Sequence, residues 1–100
     1  MQRKLIDTKN KKISRIYFIN EFGEYHNELG SAIQKFDHAE SLIAEMFYFN
    51  NKRHRLDGPA YIIYANGLKI NELYFIENIE YTREAYIRMI RDLKFNYLNS

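Results

Sequence analysis

The residues with most potential for chemistry are the three histidines, because acidic side chains lie close to each of them in the sequence. An imidazole beside a carboxylate can bind a metal ion or transfer a proton. A metal site needs three or four converging ligands, however, and the chain has no His-x-x-x-His or comparable spacing. It also has no cysteine that could supply a thiolate ligand or nucleophile. We therefore expect no metal and no cofactor.

Hydrolytic and phosphate-binding motifs are also absent from the sequence. The serines Ser14, Ser31 and Ser41 do not stand in a nucleophile-elbow context. Glycine occurs only at positions 23, 30, 58 and 67, so no glycine-rich loop is present that could bind a phosphate. These patterns predict a protein that is not an enzyme.

An internal duplication is the most informative feature of the sequence. Residues 26–33 align without gaps on residues 54–61, 28 positions later, and both copies follow an apolar stretch and a turn. Since the histidine and the glycine recur together, we interpret them as builders of corners in the chain. The residues assigned to structural turns are His26, Gly30, His54, Asp57, Gly58, Pro59, Asn66 and Gly67.

Turn chemistry supports a series of hairpins. Asn66-Gly67 lies between two apolar runs and is a strong signal for a two-residue hairpin turn. In the first copy the corresponding turn is expected within 37–41, as a looser loop. At the second corner, Asp57 is expected to accept a backbone hydrogen bond in an Asx-turn, Gly58 to be extended, and Pro59 to fix φ.

From Thr82 onwards the apolar period changes to that of a helix, with Thr82 as the N-cap. The predicted buried face is formed by Tyr86, Met89, Ile90, Leu93 and Tyr97. Phe95 falls in the polar arc of this helix. Two interpretations stay open: the helix frays before Phe95, or Phe95 projects as an anchor for a partner.

These elements predict one α+β domain over residues 1–100, an antiparallel β-hairpin meander with a C-terminal amphipathic helix. The expected parts are a degenerate repeat at about 16–40, a clear repeat at about 44–70, a partial repeat at 73–81 and a helix at about 82–97. The first residues include no apolar run long enough for a signal peptide or a membrane span. We expect a cytoplasmic protein without membrane insertion.

The second copy carries a family resemblance. Its His54, the Asp-Gly-Pro-Ala corner at 57–60 and the Asn66-Gly67 turn resemble variant hairpin repeats related to the membrane occupation and recognition nexus (MORN) family. Such repeats occur in bacterial, bacteriophage and large-virus proteins, mostly without an assigned function. The resemblance implies a hairpin architecture and, through its frequency in phage and mobile elements, a small inhibitor of a host or defence protein. The chain has no Trp and no Gly-x-Gly after the histidine, so no phospholipid role is transferred.

Charge and aromatic residues suggest two kinds of surface. Residues 3–15 hold six basic residues and one acidic residue, and form either a solvated strand or a phosphate-binding arm. The segment 21–45 is acidic.

Apolar runs without alternation, such as residues 46–49, imply apolar groups on both faces of the sheet. One helix covers one face, so the other face is either buried by curling of the sheet or open for binding.

We therefore expect a non-catalytic protein-binding module, with a homodimer as a further expectation. The alternative is a nucleic-acid-binding protein that uses its basic arm and exposed tyrosines. The candidates for protein binding are Glu21, Glu24, Glu28, Glu45, Tyr48, Tyr61, Tyr74 and Phe95. The candidates for nucleic-acid binding are Arg3, Lys4, Lys9, Lys11, Lys12, Lys52, Arg53 and Arg55.

Overall fold

The computed structural model describes residues 2–98, and for residues 97 and 98 it describes the backbone alone. The elements are β1 (Arg3–Lys9), β2 (Lys12–Ile19), β3 (Ile33–Phe36), β4 (Leu42–Met46), β5 (Tyr48–Phe49), β6 (Lys52–Arg53), β7 (Tyr61–Ala65), β8 (Leu68–Ile76), β9 (Ile79–Tyr81) and α1 (Arg83–Leu98). Seven strands form one antiparallel sheet in the order β1-β2-β3-β4-β7-β8-β9, and β5 pairs with β6 in a separate hairpin. The predicted α+β meander with a C-terminal helix is confirmed.

Three long hairpins in this sheet share one irregularity. In β1–β2, β3–β4 and β7–β8 the pairing register skips one residue on the second strand, namely Ser14, Ile43 and Ile70. Each long hairpin is followed by a short one. In chain order, the short hairpins are the turn closed by the Ile19–Tyr25 bridge, the β5–β6 hairpin and the β8–β9 hairpin. The repetition therefore includes a hairpin, β1–β2, that lies before the first repeat expected from the sequence. Residues 3–9 form its solvated edge strand.

Four of the connections are two-residue turns in which both residues have positive φ. They are Asn10-Lys11, Asn50-Asn51, Asn66-Gly67 and Glu77-Asn78. Positive φ at both central positions is the conformation that fits the twist of a hairpin. The predicted Asn66-Gly67 turn is thus confirmed.

The looser turn expected within 37–41 is also present. The Asp37 carboxylate accepts hydrogen bonds from the backbone amides of Ala39 and Ser41, at 2.9 and 3.0 Å. The backbone amide of Asp37 in turn donates to the Ser41 carbonyl at 3.0 Å. One side chain therefore closes the loop between β3 and β4.

One face of the sheet carries a row of aromatic rings and guanidinium groups. On neighbouring strands, Tyr17 pairs with Ile33, Ile33 with Met46, and Met46 with Tyr61. Because directly paired residues point to the same face of a sheet, Tyr17 and Tyr61 share one face. The row consists of Arg15, Tyr17, Tyr25, Tyr48, Arg53, Tyr61 and Phe75, with centroid contacts from 4.3 to 6.1 Å. These side chains are half-buried or buried, so the face without the helix is covered largely by its own aromatic row.

The helix lies on the other face, at the β8–β9 end. Thr82 Oγ1 accepts a hydrogen bond from the Ala85 amide at 3.2 Å, which confirms the predicted N-cap. Tyr86 is the buried contact, and its ring lies 4.8 Å from that of Tyr74. No helix in the described part of the chain is both long enough and apolar enough to span a bilayer.

The second half of the helix corrects two expectations. The helix continues through Phe95 to Leu98, so fraying before Phe95 is wrong. Residues 91–96 are all exposed, and Leu93 lies in solvent although it belongs to the predicted buried face. The sheet ends at β9 and supports only the first turns of the helix. The side chain of Tyr97 lies outside the described residues.

Candidate functional site

The two repeated histidines each accept a backbone hydrogen bond from a later turn. His26 Nδ1 accepts from the Asn50 amide at 3.0 Å, and His54 Nδ1 accepts from the Glu77 amide at 3.0 Å. Asn50 and Glu77 are the first residues of equivalent two-residue turns. The histidines thus connect each corner to the short hairpin of the next unit. Among residues 2–98, no group of three His, Cys, Asp or Glu residues is arranged to hold a metal ion.

Arg55 occupies the second corner. Its guanidinium lies 4.0 Å from the centroid of Phe47, Nε donates to Asp57 at 2.9 Å, and a terminal nitrogen donates to the Pro59 carbonyl at 3.1 Å. A Cβ added at Gly58 would lie 3.0 Å from the guanidinium carbon, so glycine permits this close approach.

The Asx-turn expected at Asp57 does not form, because Pro59, two residues on, has no amide hydrogen to donate, and the Asp57 carboxylate accepts from Arg55 instead. An Asx-type contact forms instead in the first copy, where Asn27 Oδ1 accepts from the Leu29 amide at 3.0 Å. Asn27 and Arg55 occupy aligned positions of the duplication. The two copies therefore close their corners with different side chains.

Three clefts lie in a row along the edge that carries these corners, and we call this row the corner edge. The first cleft, of about 490 Å³, is bordered by Phe22 and Glu28. The second, of about 460 Å³, shares Glu28 with the first and extends to Leu56. The third, of about 500 Å³, shares Leu56 and lies against Ile87 of the helix. The shared residues fix the order of the three clefts.

Large apolar side chains project from the corner edge. Phe22 is 79% exposed and Leu29 is 96% exposed. Phe49, Leu56 and Ile87 are each close to half-exposed. Single exposed apolar residues are common on protein surfaces, but a contiguous row along adjoining clefts is typical of a binding surface.

Charges on the corner edge are separated by sign. Glu21 and Glu28 border the first cleft, whereas Arg91 and Lys94 border the third. Asp57 lies between them and is compensated by Arg55 at 2.9 Å. The edge is thus acidic at one end and basic at the other.

The predicted acidic candidates do not form one surface. Glu21 and Glu28 lie on the corner edge, and Glu24 accepts a hydrogen bond from the Asn20 side chain at 2.9 Å. Glu45 lies on a sheet strand, where it accepts from the Tyr64 hydroxyl at 2.7 Å. Burial, followed by this hydrogen bond, raises the pKa of Tyr64 to about 12. Glu45 is therefore committed to a contact within the chain.

The predicted aromatic candidates are also dispersed. Tyr48 and Tyr61 belong to the aromatic row, whereas Tyr74 packs against Tyr86 beneath the helix. Phe95 lies on the distal half of the helix and is 64% exposed. Tyr48 also lines the second cleft of the corner edge, whereas Tyr61, Tyr74 and Phe95 line none of its three clefts.

The eight basic candidates occupy opposite ends of the sheet. Lys9, Lys11 and Lys12 surround the β1–β2 turn, where Lys12 donates to the His38 carbonyl at 2.9 Å. The other end includes Arg53, whose Nε donates to the Tyr48 hydroxyl at 3.2 Å. The remaining candidates at that end are Arg3, Lys4, Lys52 and Arg55. Arg53 and Arg55 are thus held by contacts within the chain.

Sequence reasoning missed the apolar part of the corner edge. Phe22, Leu29 and Leu56 stand in turn segments, where polar residues and glycine are expected. A large apolar residue inside a predicted turn has no strand face or helix face to bury it. That signal was present in the sequence and identifies these three positions.

Comparison with known proteins found no family model, no curated protein and no solved structure that matches the chain. The likeness to MORN-type repeats stays a prediction from residues 54–67. The functional argument therefore depends on the geometry of the corner edge.

Proposed function

We propose that this chain is a non-catalytic protein-binding module and that its binding surface is the corner edge. The observation that carries the proposal is the exposure of Phe22 and Leu29 beside adjoining clefts. Burial of apolar surface is the main source of affinity in protein association. An inhibitor of a larger protein would present such an edge to its target.

The partner surface is inferred from the chemistry of the first two clefts. Their ionisable lining includes Glu21, Glu28 and Asp57 against a single guanidinium, that of Arg55. A partner with apolar side chains and flanking Lys or Arg residues would complement this surface. Such charges favour the correct partner and speed encounter, whereas the apolar contacts supply most of the affinity.

Synthetic peptides of defined composition test the proposal. One peptide combines Leu and Ile with Lys and Arg, a second replaces the basic residues with Glu, and binding is followed by fluorescence anisotropy. We expect the apolar-basic peptide to bind, and the double variant Phe22→Ser/Leu29→Ser to weaken its binding by about tenfold or more, since 1.4 kcal/mol corresponds to tenfold in Kd. Equal binding of both peptides, or unchanged binding by the variant, would contradict the proposal.

A matched control comes from the opposite end of the sheet. Leu68 and Ile70 are 70% and 63% exposed but lie beside the Asn66-Gly67 turn. The double variant Leu68→Ser/Ile70→Ser likewise removes two large exposed apolar side chains without touching the corner edge. We expect it to bind the apolar-basic peptide as the wild type does.

Nucleic-acid binding is the second candidate, favoured by the exposed Lys9, Lys11 and Lys12 at the β1–β2 turn. It predicts binding of a single-stranded oligonucleotide with a steep dependence on salt. The protein-binding proposal predicts no shift of the oligonucleotide in a gel at low salt. A shift that is lost on replacing these lysines by alanine would favour nucleic acid instead.

A further inference from the structure

The charges along the corner edge make this surface complementary to a second copy of itself turned in the opposite direction. Its acidic end holds Glu21 and Glu28, and its basic end holds Arg91 and Lys94, with apolar side chains along the whole row. We propose that the corner edge binds a second copy of this chain, as a two-fold symmetric dimer with the axis at the second cleft. This inference rests on the proposed function, because it names the partner of the same surface.

Two-fold symmetry requires a surface that is complementary to itself. When two corner edges face each other in opposite directions, the first cleft of one copy meets the third cleft of the other. Glu21, which borders the first cleft but not the second, then faces the third cleft of the second copy with its Arg91 and Lys94, and this pairing occurs twice. The second clefts meet at the axis, where the rims carry Leu29 and Leu56. The centre thus combines these apolar side chains with Glu28 and the Arg55–Asp57 ion pair, and the basic Arg91 and Lys94 lie towards the ends.

Within the described part of one copy, no acidic side chain pairs with the basic end. Arg91 and Lys94 form no ion pair among the described residues, and the nearby Asp57 is already paired with Arg55. Glu28 lies 3.6 Å from the His26 imidazole. A second copy supplies opposite charges to both ends.

The β1 edge of the sheet is less suited to self-association. β1 exposes Lys4 and Lys9, and lysines on an edge strand oppose pairing with another strand. Two copies joined there would bring like charges together. The corner edge avoids this repulsion because its two ends have opposite signs.

A charge-swap experiment on the full chain tests the dimer. The variants are Glu21→Lys/Glu28→Lys and Arg91→Glu/Lys94→Glu, and mass is measured by size exclusion with light scattering. We expect the wild type to be a dimer and each variant alone to be a monomer, because like charges then meet at both ends. An equimolar mixture of the two variants should restore a dimer, since both contacts regain opposite charges.

Three results would overturn the inference: a monomeric wild type, a dimer that persists in both variants, or a mixture that stays monomeric. Circular dichroism of each variant confirms folding, and the reversal Lys9→Glu/Lys11→Glu at the opposite end should leave the dimer intact. A monomeric wild type that still binds the apolar-basic peptide refutes only the dimer. A monomer that binds neither refutes the proposed function as well.

Discussion

His26 accepts a hydrogen bond from the backbone amide of Asn50 at 3.0 Å, across 24 residues of the chain. His54 repeats the contact with Glu77 at the same distance. In both cases Nδ1 is the acceptor, so the neutral imidazole carries its proton on Nε2. The histidines thereby hold consecutive hairpins in register, which accounts for their recurrence in the sequence.

The first prediction concerns these histidines. His26→Ala should lower the free energy of unfolding by about 1–3 kcal/mol, because the Asn50 amide loses its part-buried hydrogen bond to the buried imidazole. Urea denaturation followed by circular dichroism measures the change. His38 is exposed and provides the control. If His38→Ala proved as costly as His26→Ala, the connecting role of His26 would be refuted.

The second prediction concerns turn residues with positive φ. Lys11 has φ 64° in the second position of its turn, where Gly67 has φ 77° in the equivalent turn. An L-residue with a side chain is disfavoured in this conformation by about 1 kcal/mol. Lys11→Gly should therefore raise the thermal unfolding midpoint and Gly67→Lys should lower it. Shifts of the same sign in the two variants would contradict this account.

The third prediction concerns the close approach of Gly58 to Arg55. Arg55 is held by Phe47, Asp57 and Pro59, so it cannot move aside freely for a Cβ at position 58. Gly58→Ala should destabilise the fold by about 1–3 kcal/mol through overpacking. A double-mutant cycle tests the cause. The cost of Gly58→Ala should shrink in an Arg55→Ala background, and an unchanged cost would exclude the guanidinium contact as its origin.

The fourth prediction concerns alkaline pH. Burial and the hydrogen bond to Glu45 raise the pKa of Tyr64 from 10.0 to about 12. The folded state therefore favours the neutral phenol, and this stabilisation is complete below pH 10 and lost as the pH rises towards 12. Ultraviolet absorbance should show a tyrosinate that forms late in an alkaline titration. Burial raises the pKa of Tyr86 as well, so the signal assigned to Tyr64 is the late part that Tyr64→Phe removes.

The sequence predicted the elements defined by local chemistry. The Asn66-Gly67 turn, the Thr82 N-cap and the hairpin meander follow from φ preferences, side-chain capping and apolar runs. The Asn10-Lys11 turn was missed because lysine in its second position gives no turn signal. Charge left residues 3–15 as either a solvated strand or a phosphate-binding arm, and residues 3–9 form a largely exposed strand.

The candidate site was harder to predict because it depends on contacts between distant residues. Glu45 and Arg55 look like free surface charges in the sequence, but Tyr64 and Phe47 engage them in the fold. The three clefts arise only when consecutive corners lie side by side. The separation of Glu28 from Lys94 along one edge is likewise a property of the folded chain.

The fifth prediction concerns the attachment of the helix. The Tyr86 hydroxyl donates to the Arg55 carbonyl at 2.6 Å and accepts from the Gly58 amide at 3.2 Å. Tyr86→Phe leaves both backbone groups without this partner and should cost about 1–3 kcal/mol. Because the distal helix is exposed, the loss should concentrate in docking of the helix and speed amide hydrogen exchange over residues 83–90 more than in β2 or β4.

Tyr61→Phe is the matched control for this change, since the Tyr61 hydroxyl forms no hydrogen bond among residues 2–98 while its ring stays in the aromatic row. It should leave the exchange of the helix unaltered. The third cleft depends on the same contact, because Ile87 and Lys94 reach the corner edge only while Tyr86 anchors the helix. Tyr86→Phe should therefore weaken the proposed dimer as well. Uniformly faster exchange throughout the sheet would show instead that Tyr86 supports the whole fold and not helix docking alone.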